Sequence, residues 1–477
     1  MALSRRSFLK SSTSAAGAAA VSLGISTTAY GANEKARVAV IGLGTRGPQH
    51  LDGFRSDVVA LCDCDSQRLE QYARRYNGQI EKYTDVRKLL ENKDIDAVSI
   101  ATPNHTHAWL GVLACQAGKD VYVEKPVSHN VWEGRQLVDA ARKYDRIAQC
   151  GTQSRSSPSL RQAIEFLRSG ALGEIQYAIG TCYKPRKSIG QLDKALAIPE
   201  SIDYDLWCGP AEKRDIFRPR LHYDWHWDFH TGSGDMGNQG IHQMDIARWF
   251  LGHDTLSRRV LSIGGRLCYE DAGDTPNTQL VIHEFDGPPI IFEIRGLPIS
   301  KEAQQRWGPM DDYRGSQIGV IVQCELGHVL VPSYTDAIAY DADGKQIQKW
   351  SGGGNHFANF IDAVKSRRKE ELNAEIQEGH LSSALCHTGN ISHRLGRQAT
   401  AAEIAEEVQF NGTLAAAFDR MAAHLRANQV DVDSSIITLG ASLEMDAKTE
   451  RFTNSDAANE MLTRIYREGF AVPDLST

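Results

Sequence analysis

The sequence of 477 residues lacks the features that mark several classes of protein. Beyond the N-terminal segment it has no long run of basic residues, and its formal net charge is −7. Such a surface has little attraction for nucleic acid or anionic lipid, so we expect neither as a partner. No apolar stretch is long enough for an ordinary membrane-spanning helix. We therefore expect no stable membrane insertion once the N-terminal segment is removed.

Paired cysteine motifs are also missing. The nine cysteines form no C-x-x-C pair and are odd in number. Several lie in apolar, strand-like runs, where a thiol behaves as a small hydrophobic group. The pattern disfavours a disulfide framework and a zinc site, so we expect reduced cysteines and no metal.

Segment 1–32 is typical of a twin-arginine export signal. Arg5 and Arg6 precede Phe8-Leu9-Lys10, and a mildly apolar region rich in alanine and serine follows. The alternative is a disordered tail with a chance arginine pair. The signal predicts a periplasmic or other extracytoplasmic location after cleavage near Ala32. Since this route transports folded proteins, any cofactor is expected to be loaded before export and held tightly.

A glycine-rich turn follows the first strand-like run of the remaining chain. Val38–Ile41 leads into the turn, and the next apolar run ends at Asp63. This spacing is typical of dinucleotide binding, because its glycines allow a tight turn, approach of a pyrophosphate and close packing of the next helix. A carboxylate at position 63 favours NAD, whereas Arg68 keeps NADP as an alternative. The cofactor contacts predicted here are Gly42, Leu43, Gly44, Thr45, Arg46, Gly47 and Asp63.

The pattern of helices and strands changes along the chain and predicts an α/β protein. Alternating strand and helix signals over 33–152 predict a Rossmann domain with a doubly wound parallel sheet. Residues 153–400 contain strand-like runs without intervening helices, which predicts a substrate domain with an open, mostly antiparallel sheet. Residues 401–477 are predicted to form a C-terminal helical extension.

Three segments fall where strands of a parallel sheet end, which is where such sheets bind ligands. They are Thr102-Pro103-Asn104, Glu124-Lys125-Pro126 and the glycine-rich segment 232–245. In this order they resemble the Gfo/Idh/MocA family of glucose–fructose oxidoreductases and inositol dehydrogenases. The resemblance implies the two domains above, a nicotinamide cofactor and a sugar or polyol substrate. It also implies a homo-oligomer whose interface is the open face of the second sheet.

The resemblance places the family's catalytic lysine at Lys125 and its catalytic histidine at His242. An ammonium can stabilise charge on the oxygen of a reacting carbinol, and a neutral imidazole can accept the hydroxyl proton. Where the family usually has an aspartate, this chain has Asn238, a third candidate catalytic residue that is expected near His242 and could hydrogen-bond the substrate or the imidazole but cannot carry charge. The further cofactor contacts implied are Thr102, Pro103, Asn104, His107, Glu124 and Lys125.

An aromatic run over 222–230 is a candidate for substrate binding. Trp225, His226 and His230, together with Tyr183, are predicted to contact the sugar, because aromatic faces beside polar groups suit such a ring. One alternative is a packed aromatic loop. Another is a metal site, since His222, His226 and His230 are spaced four apart, but the glycines after Thr231 argue against the helix this needs.

The leading hypothesis is an exported NAD(H)-dependent oxidoreductase with tightly bound cofactor, acting on a hydroxyl of a sugar, cyclitol or glycoside. The alternative, which the resemblance also implies, is a redox-neutral glycosidase. In that cycle transient oxidation acidifies a C–H group, the leaving group is eliminated, water adds and the ketone is reduced. A third possibility is a noncatalytic sugar-binding protein.

Overall fold

The run Val38–Ile41 forms the centre of a parallel sheet in the computed structural model, which describes residues 35–475. The predicted signal at 1–32 lies outside the described residues. Six strands pair in the order β3-β2-β1-β4-β5-β6, all parallel. The strands are β1 Val38–Ile41, β2 Val58–Cys62, β3 Glu81–Tyr83, β4 Ala97–Ile100, β5 Asp120–Val123 and β6 Ala148–Cys150. This confirms the predicted Rossmann sheet.

Helices cross between these strands, and their starts are set by side chains in the sequence. Asp65, Asp85 and Asn130 each accept a hydrogen bond from a backbone N–H group in the first turn of a helix. Such N-caps satisfy donors that have no partner within the helix. The helices are α1 Gly47–Phe54, α2 Ser66–Ala73, α3 Val86–Glu91, α4 His107–Gln116 and α5 Val131–Lys143.

A second sheet of twelve strands follows, and all of its pairs are antiparallel except that of β7 with β10. The main order is β14-β13-β12-β11-β7-β10-β9-β8-β16-β15, and β17 joins at β8 with β18 beside it. The first eight strands are β7 Ile175–Tyr183, β8 Arg259–Gly265, β9 Thr278–Glu284, β10 Ile290–Arg295, β11 Ile318–Cys324, β12 Gly327–Val331, β13 Asp336–Asp341 and β14 Gln346–Ser351. The last four are β15 Arg397–Ala399, β16 Ile437–Leu439, β17 Leu443–Asp446 and β18 Arg451–Phe452. The mostly antiparallel prediction is confirmed.

Helices pack on both faces of this second sheet. On one face α6, α8 and α10 contact the strands, and α10 also packs against α5 of the first domain. On the other face Phe418, Met421 and Leu425 of α12 share an apolar core with Ile282 and Ile291 of the sheet. The helices are α6 Pro158–Arg168, α7 Tyr204–Cys208, α8 Ile241–Leu251, α9 His356–Ser366, α10 Ile376–Arg394, α11 Ala401–Glu407, α12 Gly412–Ala427 and α13 Asp456–Glu460.

The C-terminal region is only partly the helical extension that the sequence predicts. After α12, β16 and β17 pair with β8, and the helix that follows them, α13, is only five residues long. Residues near the end then return to the first domain, where Phe470, Val472 and Leu475 join its apolar core. The helical prediction is wrong here because pairing with a distant strand leaves little local signal.

Helices of the same chain cover one face of the second sheet, and this changes where we expect an oligomer interface. The strands β7 to β10 would offer this face to a second copy, but α11 and α12 of the same chain bury it. That part of the face is therefore not free to form the oligomer interface implied by the resemblance. Between residues 35 and 475, no helix has the length and apolarity needed to cross a bilayer. All nine cysteines are free thiols.

Candidate functional site

A cavity of about 280 Å³ lies at the carboxyl ends of the strands of the first sheet. Parallel α/β sheets bind ligands at this edge. The predicted site residues in its wall are Gly42, Gly44, Thr45, Arg46, Asp63, Thr102, Pro103, Asn104, His107, Glu124, Lys125, Trp225, His226 and Asn238. Residues predicted from several separate segments of the chain therefore meet around one space.

The glycines of the turn differ in what surrounds them. Gly42 has φ +88°, and an added Cβ would lie 2.8 Å from backbone atoms of Ala101. At Gly47 an added Cβ would lie 2.3 Å from the carbonyl oxygen of Gly42, so the helix packs directly on the turn. At Gly44 the nearest atom is 3.9 Å away, on the Arg68 side chain, so this position borders open space. The turn thus fits a pyrophosphate, because bare backbone N–H groups can approach it at Gly44.

Asp63 holds the turn in place. Its Oδ2 accepts a hydrogen bond of 2.7 Å from the Leu43 N–H, and its Oδ1 accepts one of 2.9 Å from the Asp65 N–H. Leu43 itself is fully buried, so its side chain belongs to the core and only its main chain serves the turn. A cofactor contact at Leu43 stays a prediction for its main chain alone, and Gly47 acts through packing.

A buried carboxylate lies under the turn. Glu124 Oε1 is 2.6 Å from Arg46 Nε and 3.1 Å from His50 Nε2, and its Oε2 accepts a hydrogen bond of 3.2 Å from the Lys125 N–H. Burial raises the pKa of Glu124, but the charge of Arg46 and the hydrogen bond to His50 outweigh it and hold the pKa well below its usual range. Glu124 therefore remains ionised and orients both Arg46 and the following lysine.

His107 joins two turns at the cavity. Its Nδ1 lies 2.6 Å from the carbonyl oxygen of Pro126, and its Nε2 lies 2.8 Å from that of Thr102. The peptide between Lys125 and Pro126 is cis. Although His107 reaches the cavity wall, both ring nitrogens face the main chain. It is therefore a positioning residue for the predicted cofactor contacts.

The Lys125 ammonium is fixed by the glycine-rich segment opposite. Its Nζ donates a hydrogen bond of 2.7 Å to the main-chain carbonyl oxygen of Asn238. Asn238 lies in a π-helical turn, Met236–Gly240, that leads into α8. Such wide turns are rare and occur frequently at functional sites. Burial lowers the pKa of Lys125, which makes the ammonium a better proton donor than a solvated lysine.

His242 is the second residue of α8, and its side chain is almost fully buried. It does not belong to the cavity wall described above, but its ring packs against that of Tyr334, with centroids 4.9 Å apart. Burial lowers the pKa of His242 well below its ordinary value, and the Lys125 ammonium is the strongest charge acting in the same direction. The imidazole is therefore neutral at physiological pH and able to accept a proton.

Three polar residues beside His242 form a chain of hydrogen bonds. Lys184 Nζ donates to Gln239 Oε1 at 3.0 Å, and Gln239 Nε2 donates to the Tyr334 hydroxyl at 2.7 Å. The sequence predicted that Lys184 faces the substrate cleft, but neither Gln239 nor Tyr334 was predicted as a site residue. Gln239 lies inside the glycine-rich segment 232–245, whereas Tyr334 follows β12 and no sequence signal connects it with that segment.

Two predicted substrate contacts lie elsewhere. Tyr183 is buried on β7, where its hydroxyl donates to Glu293 at 2.8 Å. Since side chains alternate along a strand, its neighbour Lys184 points to the site instead. His230 Nε2 donates to the carbonyl oxygen of Glu212 at 2.7 Å, in the wall of a different cavity. Both substrate predictions are corrected.

The aromatic run is a loop with a short helical turn, so residues spaced four apart do not share a face. Trp225 and His226 stack with ring centroids 3.6 Å apart, and both line the first cavity. His222 approaches Asp65 at 3.8 Å, away from His230. Among residues 35–475, no group of three or more histidines, cysteines or acids is placed to hold a metal ion.

Comparison with known proteins matches both domains. The family model for the oxidoreductase family NAD-binding Rossmann fold matches residues 36–152, and that for the family's C-terminal alpha/beta domain matches residues 178–304. Together they cover more than half of the chain.

Two curated relatives show the level of similarity. Levoglucosan dehydrogenase of Pseudarthrobacter phenanthrenivorans is 27% identical over 202 residues, which are 42% of this chain and 44% of that protein. Myo-inositol 2-dehydrogenase of Thermotoga maritima is 28% identical over 253 residues, 52% of this chain and 64% of that protein. The matched regions thus span about half the length of these relatives.

Solved structures resemble the fold over a larger share of the chain. Levoglucosan dehydrogenase in complex with NADH and levoglucosan has a TM-score of 0.54 and 18% identity, and the match covers 74% of this chain and 95% of that one. The WlbA dehydrogenase of Bordetella pertussis, in complex with NADH and UDP-GlcNAcA, also has a TM-score of 0.54 and 18% identity, with 74% and 94% covered. At this identity the likeness describes the fold.

Proposed function

Because this chain belongs to the Gfo/Idh/MocA oxidoreductase family, we propose that it is an NAD(H)-dependent oxidoreductase acting on a hydroxyl of a sugar, cyclitol or glycoside. One observation supports this most directly. Lys125, in the wall of the cavity that contains the dinucleotide turn, donates a hydrogen bond to the segment that carries His242. The names of the levoglucosan and inositol dehydrogenases support the substrate class.

The cavity offers the groups that would hold the dinucleotide. The backbone at Gly44 would receive the pyrophosphate, Asp63 the ribose hydroxyls, and the turn Thr102-Pro103-Asn104 the nicotinamide ribose. When bound, the nicotinamide supplies hydride exchange with a carbinol carbon. An aspartate in place of a cation at position 63 supports NAD over NADP.

The residues of the chain itself would handle the substrate oxygen and its proton. The Lys125 ammonium, held by the Asn238 carbonyl oxygen, would donate to the oxygen where negative charge develops. His242, neutral because burial and Lys125 lower its pKa, would accept the hydroxyl proton. The stacked Trp225 and His226 would offer an aromatic face to the sugar ring.

Substitution of both groups tests this assignment. Lys125→Ala and His242→Ala should each lower turnover by about 10²- to 10⁴-fold, the usual range for a positioned acid or base, while NADH still binds. Lys187→Ala is the matched control, because that lysine is exposed and does not line the cavity. Full activity of both Lys125→Ala and His242→Ala would contradict the proposal.

Product analysis separates the two catalytic possibilities. A keto sugar or lactone formed with NADH would support the dehydrogenase. Free sugar released from a glycoside without net NADH would instead support the redox-neutral glycosidase. Ligand binding without any change in nicotinamide absorbance, across a panel of sugars and glycosides, would favour the noncatalytic binding protein.

We also propose export by the twin-arginine route with the cofactor already bound. The segment 1–32 supports this, with Arg5 and Arg6 before a mildly apolar region. Replacing both arginines with lysine should retain the protein in the cytoplasm of a bacterium that exports the unaltered chain. Exported protein that contains no nucleotide and exchanges NAD freely would contradict tight retention.

A homo-oligomer stays a prediction, and the structure restricts where its interface can lie. The strands β7 to β10 are covered, whereas Ile347 on β14 is 46% exposed. Light scattering of the purified chain would measure its mass in solution.

A further inference from the structure

A second cavity, of about 380 Å³, lies behind the glycine-rich segment. Its wall is formed by the start of α5, the loop over 229–233, the C-terminal half of α10 and the segment 460–464, together with the single residues Arg214 and Asp274. None of its lining residues is shared with the first cavity. It is therefore a separate space, with no part in the proposed dinucleotide site.

The charges around this cavity are unequal. Arg214, Arg394 and Arg464 line it, opposite the carboxyl groups of Asp274 and Glu460. Arg214 forms an ion pair of 2.5 Å with Asp228. Burial, together with the nearby charge of Asp228, raises the pKa of Asp274 and so weakens its tendency to ionise. Glu460 stays in the wall as an opposing carboxyl group, and Glu133 acts on Arg464 from nearby.

Arg394 and Arg464 have no carboxylate partner within 4 Å in the described part of the chain. The Arg394 guanidinium lies over the ring of Phe229, 5.2 Å from its centroid. Arg464 donates to the carbonyl oxygen of His230 at 3.0 Å and to His129 Nδ1 at 3.3 Å, while its Nε has no hydrogen-bond partner. Two guanidinium groups are therefore available to a ligand at this cavity.

Buried donors without partners lie at the same place. Asn130 is 5% exposed, and its Oδ1 caps α5, but its Nδ2 has no partner. His129 Nε2 also lacks one, and since Nδ1 accepts from Arg464, the ring proton is on Nε2. A buried donor left unpaired carries a cost in stability. Acceptor oxygens in the cavity would remove this cost.

We propose that the second cavity binds a small oxyanion, the phosphate or carboxylate group of a metabolite, between Arg394 and Arg464. A planar guanidinium can form two parallel hydrogen bonds to either group. Together with the two guanidinium groups, the N–H donors of Asn130 and His129 would donate hydrogen bonds to the oxygen atoms of such a ligand. The N-terminal end of α5, a helix of 13 residues, adds a favourable field for negative charge.

Calorimetric titration of the full chain with inorganic phosphate tests this site. The protein is first saturated with NADH, so that phosphate cannot occupy the dinucleotide turn, and ionic strength is kept constant with chloride. One phosphate should bind per chain, and Arg394→Gln and Arg464→Gln should each weaken binding at least tenfold. Arg168→Gln, an exposed arginine on α6, is the matched control and should bind as the unaltered chain does.

Arg394→Gln keeps the test decisive if Arg464→Gln fails to fold, because Arg394 is exposed and its guanidinium packs on the face of Phe229. Titrations with succinate and with glucose 6-phosphate distinguish the source of the anion. Tighter binding of succinate than phosphate indicates a carboxylate, and tighter binding of the sugar ester indicates a phosphate monoester. Phosphate and succinate that both fail to bind at millimolar concentration, or binding unchanged in Arg394→Gln, would overturn the proposal.

Discussion

The ammonium of Lys125 is held by the main-chain carbonyl oxygen of Asn238, with 2.7 Å between Nζ and oxygen. The bond depends on the path of the backbone through the π-helical turn and not on the side chain at position 238. An asparagine can therefore stand where the family usually has an aspartate without releasing the lysine. What the asparagine changes is the charge beside Lys125 and His242.

Restoring that charge should shift the pH dependence of the reaction. In Asn238→Asp, a carboxylate near Lys125 and His242 would favour their protonated forms and raise the pKa of each. The acidic limb of kcat/KM should therefore move to higher pH. Asn238→Ala is the control, since it keeps the backbone bond and adds no charge. An acidic limb that stays in place in both variants would show that His242 does not sense this position.

The unaltered enzyme should remain active below the usual range for histidine catalysis. Because burial and Lys125 lower the pKa of His242 from 6.5, its imidazole stays neutral until the pH falls well under that value. Activity lost on acidification should thus have its midpoint below pH 6.5. The alkaline limb should lie below pH 10.5, since burial lowers the pKa of Lys125 from that value. Initial rates from pH 4 to pH 11, with stability checked at each end, measure both limbs.

The first two glycines of the turn should respond differently to alanine. Gly44→Ala places a methyl group into the open space at the cavity, so the fold should persist while NADH binding weakens. Gly42→Ala brings a Cβ within 2.8 Å of the Ala101 backbone at a positive φ, which should destabilise the protein by more than about 1 kcal/mol. Thermal melting and NADH fluorescence titration measure the two effects. Equal losses of stability would contradict the assignment of Gly44 to the ligand.

Removing one charge at the ribose position should relax the choice of cofactor. In Asp63→Asn the amide oxygen can still accept from Leu43 N–H, whereas the bond from Asp65 N–H and the repulsion of a 2′-phosphate are both lost. Arg68, also in the cavity wall, then becomes the main charge there. The ratio of NAD to NADP affinity should fall at least several-fold. An unchanged ratio would mean that Asp63 serves only the turn.

The C-terminal helices should stabilise the second sheet by covering it. Phe418→Ala removes a ring that is 2% exposed and packed in the core between α12 and the sheet, a change that usually costs about 3–5 kcal/mol. Phe410→Ala is the matched control, because this ring is 42% exposed and should cost less than about 1 kcal/mol. Urea unfolding gives both values. Similar costs would show that α12 contributes little to the core.

The turn at Gly42, the two sheet types and most helices were predictable, because each depends on residues close together in the chain. Asp65, Asp85 and Asn130 begin helices through bonds to N–H groups within three residues. The pairing of strand 437–439 with β8 and the packing of Phe470 in the core of the first domain were not predictable, because their partners lie far away in sequence. The prediction for Tyr183 was wrong for a related reason, because the register of a strand decides which of its side chains point towards the site.

The sequence by itself determined the dinucleotide turn, the carboxyl group at position 63 and the residue types that meet at the cavity. Backbone conformation and side-chain charge are local properties, so they can be read from neighbouring residues. Only the tertiary structure decided that the Asn238 carbonyl oxygen holds Lys125, that Tyr334 lies against His242 and that α12 covers the sheet. These contacts join segments separated by many residues, and packing of the whole chain selects them.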